Sequence, residues 1–298
     1  MRAIALSAAG SLTTGSGTVL AQPAKPWQTG FPEAATPVMR DVLAFNDLLH
    51  PIISGIFIFV LILLFYTLYR FSAKRNPEPS TTTHNTLVEV VWTMVPVMIL
   101  IVIAIPSFKL LYFQDRAVDP EMTIKAIGNQ WYWTYEYPDY DGLTFDALMI
   151  ADEDIGEDQF RLLETDNRVV VPVDTSIQVL VTASDVIHAW TIPAFGIKID
   201  AVPGRMNETW FKAEREGVFY GQCSELCGAY HGFMPITVEV VSKDAFAAWV
   251  VKAQEEFALN DAPATTVAPS SALEGCTRLR ARLVLPPADT PRTLIFAF

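Results

Sequence analysis

Cys223-Ser-Glu225-Leu-Cys227-Gly-Ala-Tyr-His231-Gly-Phe-Met234, set between Gly217-Val-Phe-Tyr220 and Ile236-Thr-Val-Glu-Val-Val241, is a ligand-rich loop between two strand-like segments. Two thiols, an imidazole, a carboxylate and a thioether fall within one short stretch. Thiolate, imidazole and thioether together suit soft or borderline metals, copper above all, whereas magnesium or calcium asks for an all-oxygen set. A loop held between strands gives a metal a rigid β scaffold. The sequence on either side predicts such a scaffold.

From residue 121 to 257, short alternating or β-branched stretches recur. They are Thr123–Ile127, Trp131–Tyr137, Val169–Val173, Ile177–Thr182, Val186–Ile192 and Glu208–Lys212, punctuated by Pro138-Asp, Asp141-Gly and Pro203-Gly204. Many short strands without helical crossovers predict an antiparallel sandwich or barrel. Only Ser242–Leu259 has helical spacing, with Phe246, Trp249, Val250 and Phe257 along it.

Ahead of this domain lie two apolar runs free of Asp, Glu, Lys and Arg, Pro51–Tyr69 and Val90–Phe108. Each is close to the ~20 residues a helix needs to cross a ~30 Å hydrocarbon core. A buried helix of a soluble protein would be shorter and keep a polar face. We therefore expect a two-helix membrane hairpin over residues 49–113, with helices near 50–69 and 90–112. Its joining segment carries Arg70, Lys74 and Arg75 against one acid, Glu78, which puts that loop in the cytoplasm and both termini outside. Residues 1–21 read as a signal peptide ending Val19-Leu20-Ala21. Residues 22–48 read as a proline-rich outer arm. Residues 258–298 read as a low-complexity tail, disordered or processed, in which Cys276 has no assigned role.

The chain has 298 residues and a net charge of −12, which argues against nucleic acid as a partner and for a basic one. Its three cysteines, two of them clustered, are too few for a disulfide framework. A Cys-x3-Cys pair in an oxidising compartment is compatible with a disulfide. His231 and Met234 on the same loop turn the balance toward metal.

A one-copper electron-transfer site uses two His, one Cys and a weak Met. Cys227, His231 and Met234 fill that set if His188, in Asp185-Val-Ile-His188, supplies the second imidazole. Cys223 is then one thiol too many. Placed beside Cys227, it lets both thiolates bridge two copper ions, each with one His and one weak ligand: Met234 on one side, a backbone carbonyl on the other. His50 and His84 flank the membrane segments and take no metal role.

Together, the two membrane helices, Gln130-Trp-Tyr-Trp-Thr-Tyr-Glu-Tyr137, Asp185–His188, Asp200-Ala-Val-Pro-Gly-Arg205 and Gly221–Met234 resemble subunit II of cytochrome c oxidase over about residues 40–257. The signal-like start resembles the bacterial form. The resemblance implies a cupredoxin-like Greek-key sandwich carrying a binuclear copper centre, copper A. Its ligands would be His188, Cys223, Cys227, His231, Met234 and the Glu225 carbonyl. It implies that the Glu225 side chain binds a magnesium or manganese ion shared with subunit I, and that haem resides only in that partner. Trp131 becomes the residue that receives the electron and Glu89 the mouth of a proton pathway.

The implied setting is a bacterial inner membrane with the copper domain on the periplasmic side. Subunit I, other oxidase subunits, lipid and cytochrome c are the implied partners. From Glu136 to Asp158 there are nine acids and no Lys or Arg, a field suited to a basic cytochrome c. Glu136, Asp139, Asp146 and Asp185 are the expected docking acids. Two rivals remain. A membrane copper chaperone would show one membrane helix and a thioredoxin-like α/β pattern, and a quinol-oxidase subunit of the same fold would lack the copper ligands.

Overall fold

The computed structural model describes residues 27–115, 119–157 and 159–258. The expected signal peptide, the tail and Cys276 lie outside these residues, as does Asp158. Two long helices lead, α1 (Pro37–Arg70) and α2 (Thr86–Asp115). At ~1.5 Å per residue they run roughly 51 and 45 Å, beyond a ~30 Å hydrocarbon core. Each contains an apolar stretch long enough to cross a membrane. Their apolar side chains, from Ile53 and Phe57 to Ile105 and Phe108, stand exposed, as suits helices made for lipid or for partner helices rather than for a soluble core.

Helix α1 starts well before the apolar run that announced it, so the end of the expected arm is helical. The cause is local. Thr36 caps the helix, its Oγ1 accepting from Met39 N at 3.1 Å, and Pro37 follows at the first helical position. The same hydroxyl donates to Phe195 O at 2.8 Å. Ala35 N donates to Ala194 O, Glu214 N donates to Ala35 O, and Arg40 forms an ion pair with Glu214. At the end of α2, Trp210 Nε1 donates to Phe113 O at 3.1 Å and the two rings meet edge to face. The β domain thus grips the start of α1 and the end of α2, while the basic loop after Arg70 joins their other ends.

The domain has ten strands: β1 (Met122–Asn129), β2 (Tyr132–Tyr137), β3 (Leu143–Ala147), β4 (Val169–Pro172), β5 (Ser176–Ala183), β6 (His188–Ile192), β7 (Ile197–Ala201), β8 (Asn207–Lys212), β9 (Gly217–Gln222) and β10 (Pro235–Val241). One sheet runs β3-β2-β1-β5-β8, a second β4-β10-β9, and β6-β7 form a ribbon. The expected cupredoxin-like sandwich is present, but it is mixed rather than antiparallel. β1 runs parallel to β5, and β4 parallel to β10. The chain leaves the first sheet after β3, adds β4 to the second sheet and returns as β5, so non-consecutive strands become neighbours in the same direction. Two strands, β3 and β7, lie outside the stretches picked out in the sequence.

Alternation decides the core. Trp133, Tyr135 and Tyr137 of β2 point inward, as do Ile177, Val179 and Val181 of β5. They meet Val171, Phe219, Ile236 and Val238 from the second sheet. Tyr137 OH ties the layers, donating to Val170 O at 3.0 Å and accepting from Val170 N at 3.1 Å. A final helix, α3 (Lys243–Ala258), closes one end of the sandwich. Its Trp249 packs on Tyr137 and its Phe257 stacks on Phe145.

Candidate metal centre

Strands β9 and β10 are antiparallel neighbours, and Gln222 pairs with Pro235. The residues between them therefore form a closed loop, sealed where Cys223 N donates to Met234 O at 3.3 Å. His188 begins β6, which lies against β9, and Ser224 N donates to Ala189 O. That contact brings the distant imidazole to the loop. It demands close strands: a Cβ on Gly221 would lie 1.8 Å from Thr191 O. Gly128 serves the same end, since a Cβ there would lie 2.8 Å from His188 Cδ2.

The five expected side chains converge. Cys223 Sγ and Cys227 Sγ are 3.8 Å apart and unbonded, and neither cysteine is in a disulfide. His188 Nδ1 is 3.8 Å from Cys223 Sγ, and His231 Nδ1 is 3.6 Å from Cys227 Sγ. Met234 Sδ lies 3.5 Å from Cys227 Sγ, and Glu225 O lies 3.4 Å from Cys223 Sγ. Donors that share a metal at ~2.3 Å from sulfur and ~2.0 Å from nitrogen must lie within about 4.6 Å (S···S) or 4.3 Å (S···N) of one another. Every one of these pairs meets that limit. Cys223, Cys227, Met234 and His188 are buried and His231 is half-buried, so four of the five donor side chains are withdrawn from solvent. The set fits soft or borderline ions, and two thiolates with an imidazole beside each fit a pair of them.

The thiols titrate as a unit. Burial opposes ionisation of Cys223, yet His188, backbone groups at Ala189 and Glu225, and His231 outweigh it and bring the thiol down to about 6. Cys227 is pushed up to about 12, first by burial and then by the charge on Cys223. One proton leaves readily, the other is held, and metal binding must expel it. Burial disfavours charge on His188 as well, but Cys223 and Asp185 more than compensate and raise it.

The remaining expected residues are placed with more varied surroundings. Trp131 sits in the turn before β2, half-buried, its Nε1 donating to Cys227 O at 3.3 Å and its ring 5.0 Å from that of Tyr230. Asp146 accepts from Thr134 Oγ1 at 2.6 Å, Asp139 from Thr123 N at 2.7 Å, and Glu136 pairs with Lys125 at 2.8 Å. At ~3.4 Å per strand residue, Thr134 is about 10 Å along β2 from Trp131 and Glu136 about 17 Å. Glu136, Asp139 and Asp146 thus lie along the first sheet and its turns, while Asp185 accepts from Gln130 N beside the indole. The Glu225 side chain lines a polar cavity of ≈ 530 Å³ with Lys198, Asp200, Arg205 and Asn207. Glu89 caps its own helix, accepting from Asn85 N at 3.2 Å, while Asn85 Oδ1 accepts from Val88 N.

Sequence reasoning missed Gln130, whose Nε2 donates to Cys227 O at 2.7 Å. It also missed Gly228, whose lack of a Cβ leaves room for Gln130 and Trp131 and whose φ of +121° favours glycine. A second role for Asp185 was legible in the spacing Asp-x-x-His, which lets one carboxylate reach His188 Nε2, here at 2.9 Å.

Known proteins resemble this chain along most of its length. A family model for the periplasmic domain of cytochrome c oxidase subunit II matches residues 122–241, and one for the transmembrane domain of that subunit matches residues 24–110. The probable cytochrome c oxidase subunit 2 of Rickettsia bellii is 50% identical over 225 residues, 76% of this chain and 84% of that protein. The cytochrome c oxidase subunit 2 of Phytophthora megasperma is 51% identical over 232 residues, 76% and 87% of the two chains. The crystal structure of the periplasmic domain of subunit II of cytochrome oxidase (CoxB) of Bradyrhizobium japonicum is 56% identical, with a TM-score of 0.45, covering 47% of this chain and 98% of that one. With both halves of one subunit matched in order, and relatives half identical along most of their own length, the chain belongs to the cytochrome c oxidase subunit II family.

Proposed function

We propose that this chain is the electron-accepting subunit of a haem-copper terminal oxidase, holding two copper ions between Cys223 and Cys227. The observation that carries the reading is the pair of thiols 3.8 Å apart on a sealed loop, each with its own imidazole within 3.8 Å. His188, His231, Met234 and the Glu225 carbonyl complete the set. When bound, the copper pair supplies a one-electron store spread over two metals. The chain's own residues keep the donors fixed and exclude water from them, so little has to move when an electron arrives. Electrons come from a basic cytochrome c and leave for haem in subunit I, where oxygen is reduced to water and protons are pumped. Copper analysis of the intact chain should give two ions per chain, with an electron-spin spectrum of one electron shared by two copper nuclei. One ion per chain, or a Cys223–Cys227 disulfide that survives reconstitution, would overturn the reading.

In this proposal Glu225 also contributes its carboxylate to a magnesium or manganese ion. Asp200 lines the same cavity, and subunit I supplies the remaining oxygens. The copper domain faces the periplasm of a bacterial inner membrane, opposite the basic hairpin loop. Trp131 receives the electron; Glu136, Asp139, Asp146 and Asp185 steer the cytochrome; Glu89, besides capping α2, opens the proton path into subunit I.

One series of turnover measurements against ionic strength tests these roles. The parent oxidase should slow as salt screens the acidic face. Trp131→Gln should lose an order of magnitude or more in turnover with its copper spectrum unchanged. Glu89→Gln should keep the cap and the cytochrome reaction but slow oxygen reduction. Salt-independent rates, or a variant that runs at the parental rate, would remove the corresponding role.

A further inference from the structure

Between the metal donors and the Trp131 turn, the protein closes a circuit of hydrogen bonds that ligation alone does not require. Asp185 Oδ1 lies 2.9 Å from His188 Nε2 and accepts from Val186 N at 2.6 Å. Its Oδ2 accepts from Gln130 N at 2.7 Å. Gln130 then reaches across with its side chain, Nε2 donating to Cys227 O at 2.7 Å, and Trp131 Nε1 donates to the same oxygen at 3.3 Å. A Cβ on Gly228 would lie 3.0 Å from Gln130 Nε2 and 3.1 Å from Trp131 Cζ2, so the loop is bare where the amide and the indole cross it. Both oxygens of Asp185 are turned inward, and its side chain is only 33% exposed.

We propose that Asp185 and Gln130 are positioning residues that lock the electron-receiving Trp131 to two copper ligands, His188 and Cys227, as one rigid unit. The inference rests on the copper reading above. Physically, a ligand imidazole is oriented by whatever holds its second nitrogen, and a carboxylate is a strong holder. The same carboxylate fixes the backbone of the Trp131 turn, and Gln130 fixes the carbonyl of the second ligand. Distance and orientation between indole and thiolate are thereby constrained by hydrogen bonds through Asp185, Gln130 and Trp131 in addition to loop packing. A carboxylate that served only to attract cytochrome c would instead leave its oxygens free to solvent.

The two roles separate experimentally in the assembled, copper-loaded oxidase carrying Asp185→Ala, Asp185→Asn or Gln130→Ala. Asp185→Ala should bind copper roughly 10- to 100-fold more weakly and shift both its midpoint potential and its electron-spin splitting. Asp185→Asn keeps one acceptor and should recover part of that loss. Gln130→Ala should lower kcat with cytochrome c while leaving KM near the parental value, and the deficit should persist at high salt. A pure docking role predicts that Asn and Ala behave alike, with an unchanged copper signal, a raised KM and a defect that disappears at high salt. That pattern would overturn the proposal. A readout without copper keeps it distinct from the copper reading itself. In the metal-free chain, the Trp131 indole N–H resonance, identified by its loss in Trp131→Gln, should broaden or shift in Asp185→Ala and Gln130→Ala. An unmoved resonance would count against the lock even if two coppers bind.

Discussion

Replacing Cys223 by serine should leave a chain that keeps one copper at most and takes no electrons from cytochrome c. His231 Nδ1 and Met234 Sδ lie 3.6 and 3.5 Å from Cys227 Sγ, and the three form the core of a one-copper set. Serine offers a hard, protonated oxygen where the second metal needs a bridging thiolate, and His188 then faces a position no soft ligand closes. Cys227→Ser should be more severe. Its sulfur touches Cys223, His231 and Met234, so its loss breaks the set at the middle and should leave no stable copper. Neither change should unfold the domain, because serine is nearly isosteric and the loop is sealed by backbone pairing at Gln222 and Pro235. The measurement is copper per chain with the electron-spin spectrum. The pattern should pass from one electron over two nuclei to one electron on one nucleus in Cys223→Ser. Two coppers retained by Cys223→Ser would eliminate the bridging role of that thiol.

How much of this was legible before folding depends on whether the information is local. The donors of the 223–234 loop are local, and their chemistry alone suggests copper. His188 is not local: only the need for a second imidazole pointed to it, and the β6–β9 contact explains how it arrives. Both membrane helices are marked by their freedom from charge, but that criterion locates a span and not a helix start. Thr36-Pro37, a good start signal, was hidden in a proline-rich stretch. Alternation in β1 and β5 identifies inward faces without revealing that the strands run parallel, since a two-residue period is blind to direction. The acid count from Glu136 to Asp158 is also local. That Glu136 is held by Lys125 and Asp185 by His188 is a matter of register and turn geometry. Gln130 is the extreme case, because an amide has no signature until the carbonyl it serves is folded against it.

Glu164→Ala is expected to destabilise the domain strongly although it lies away from the copper loop. Glu164 is 1% exposed, on the segment that carries the chain from β3 to β4. Its carboxylate accepts two bonds from Arg168, Nε to Oε1 at 2.8 Å and the second arm to Oε2 at 2.9 Å. Tyr220 OH donates to Oε2 at 3.0 Å, and Arg168 also reaches Glu239 on β10 at 3.2 Å. One buried acid therefore joins the entering segment to both other strands of the second sheet. Burial holds the Tyr220 hydroxyl well above its usual range, and the charge on Glu164 adds to this, so the phenol is a fixed donor. Alanine would leave a buried phenol without its acceptor and a partly buried guanidinium with Glu239 as its remaining carboxylate. Breaking one side of such a pair costs about 3–5 kcal/mol, and Arg168 is open enough to water to favour the lower end. For a chain of this size that is roughly a 10 °C fall in melting temperature. Because Tyr220 stands just ahead of Cys223 on β9, the copper signal should be lost at the same lowered temperature as the near-ultraviolet dichroism. Two controls decide whether charge is the cause. Glu164→Gln keeps an acceptor for Tyr220 and should lose less. The double change Glu164→Leu with Arg168→Met removes both charges and should regain part of the deficit, since a pair replaced by apolar groups leaves no stranded ion. A Glu164→Ala chain melting within a degree or two of the parent would mean that solvent reaches Arg168 and the network contributes little.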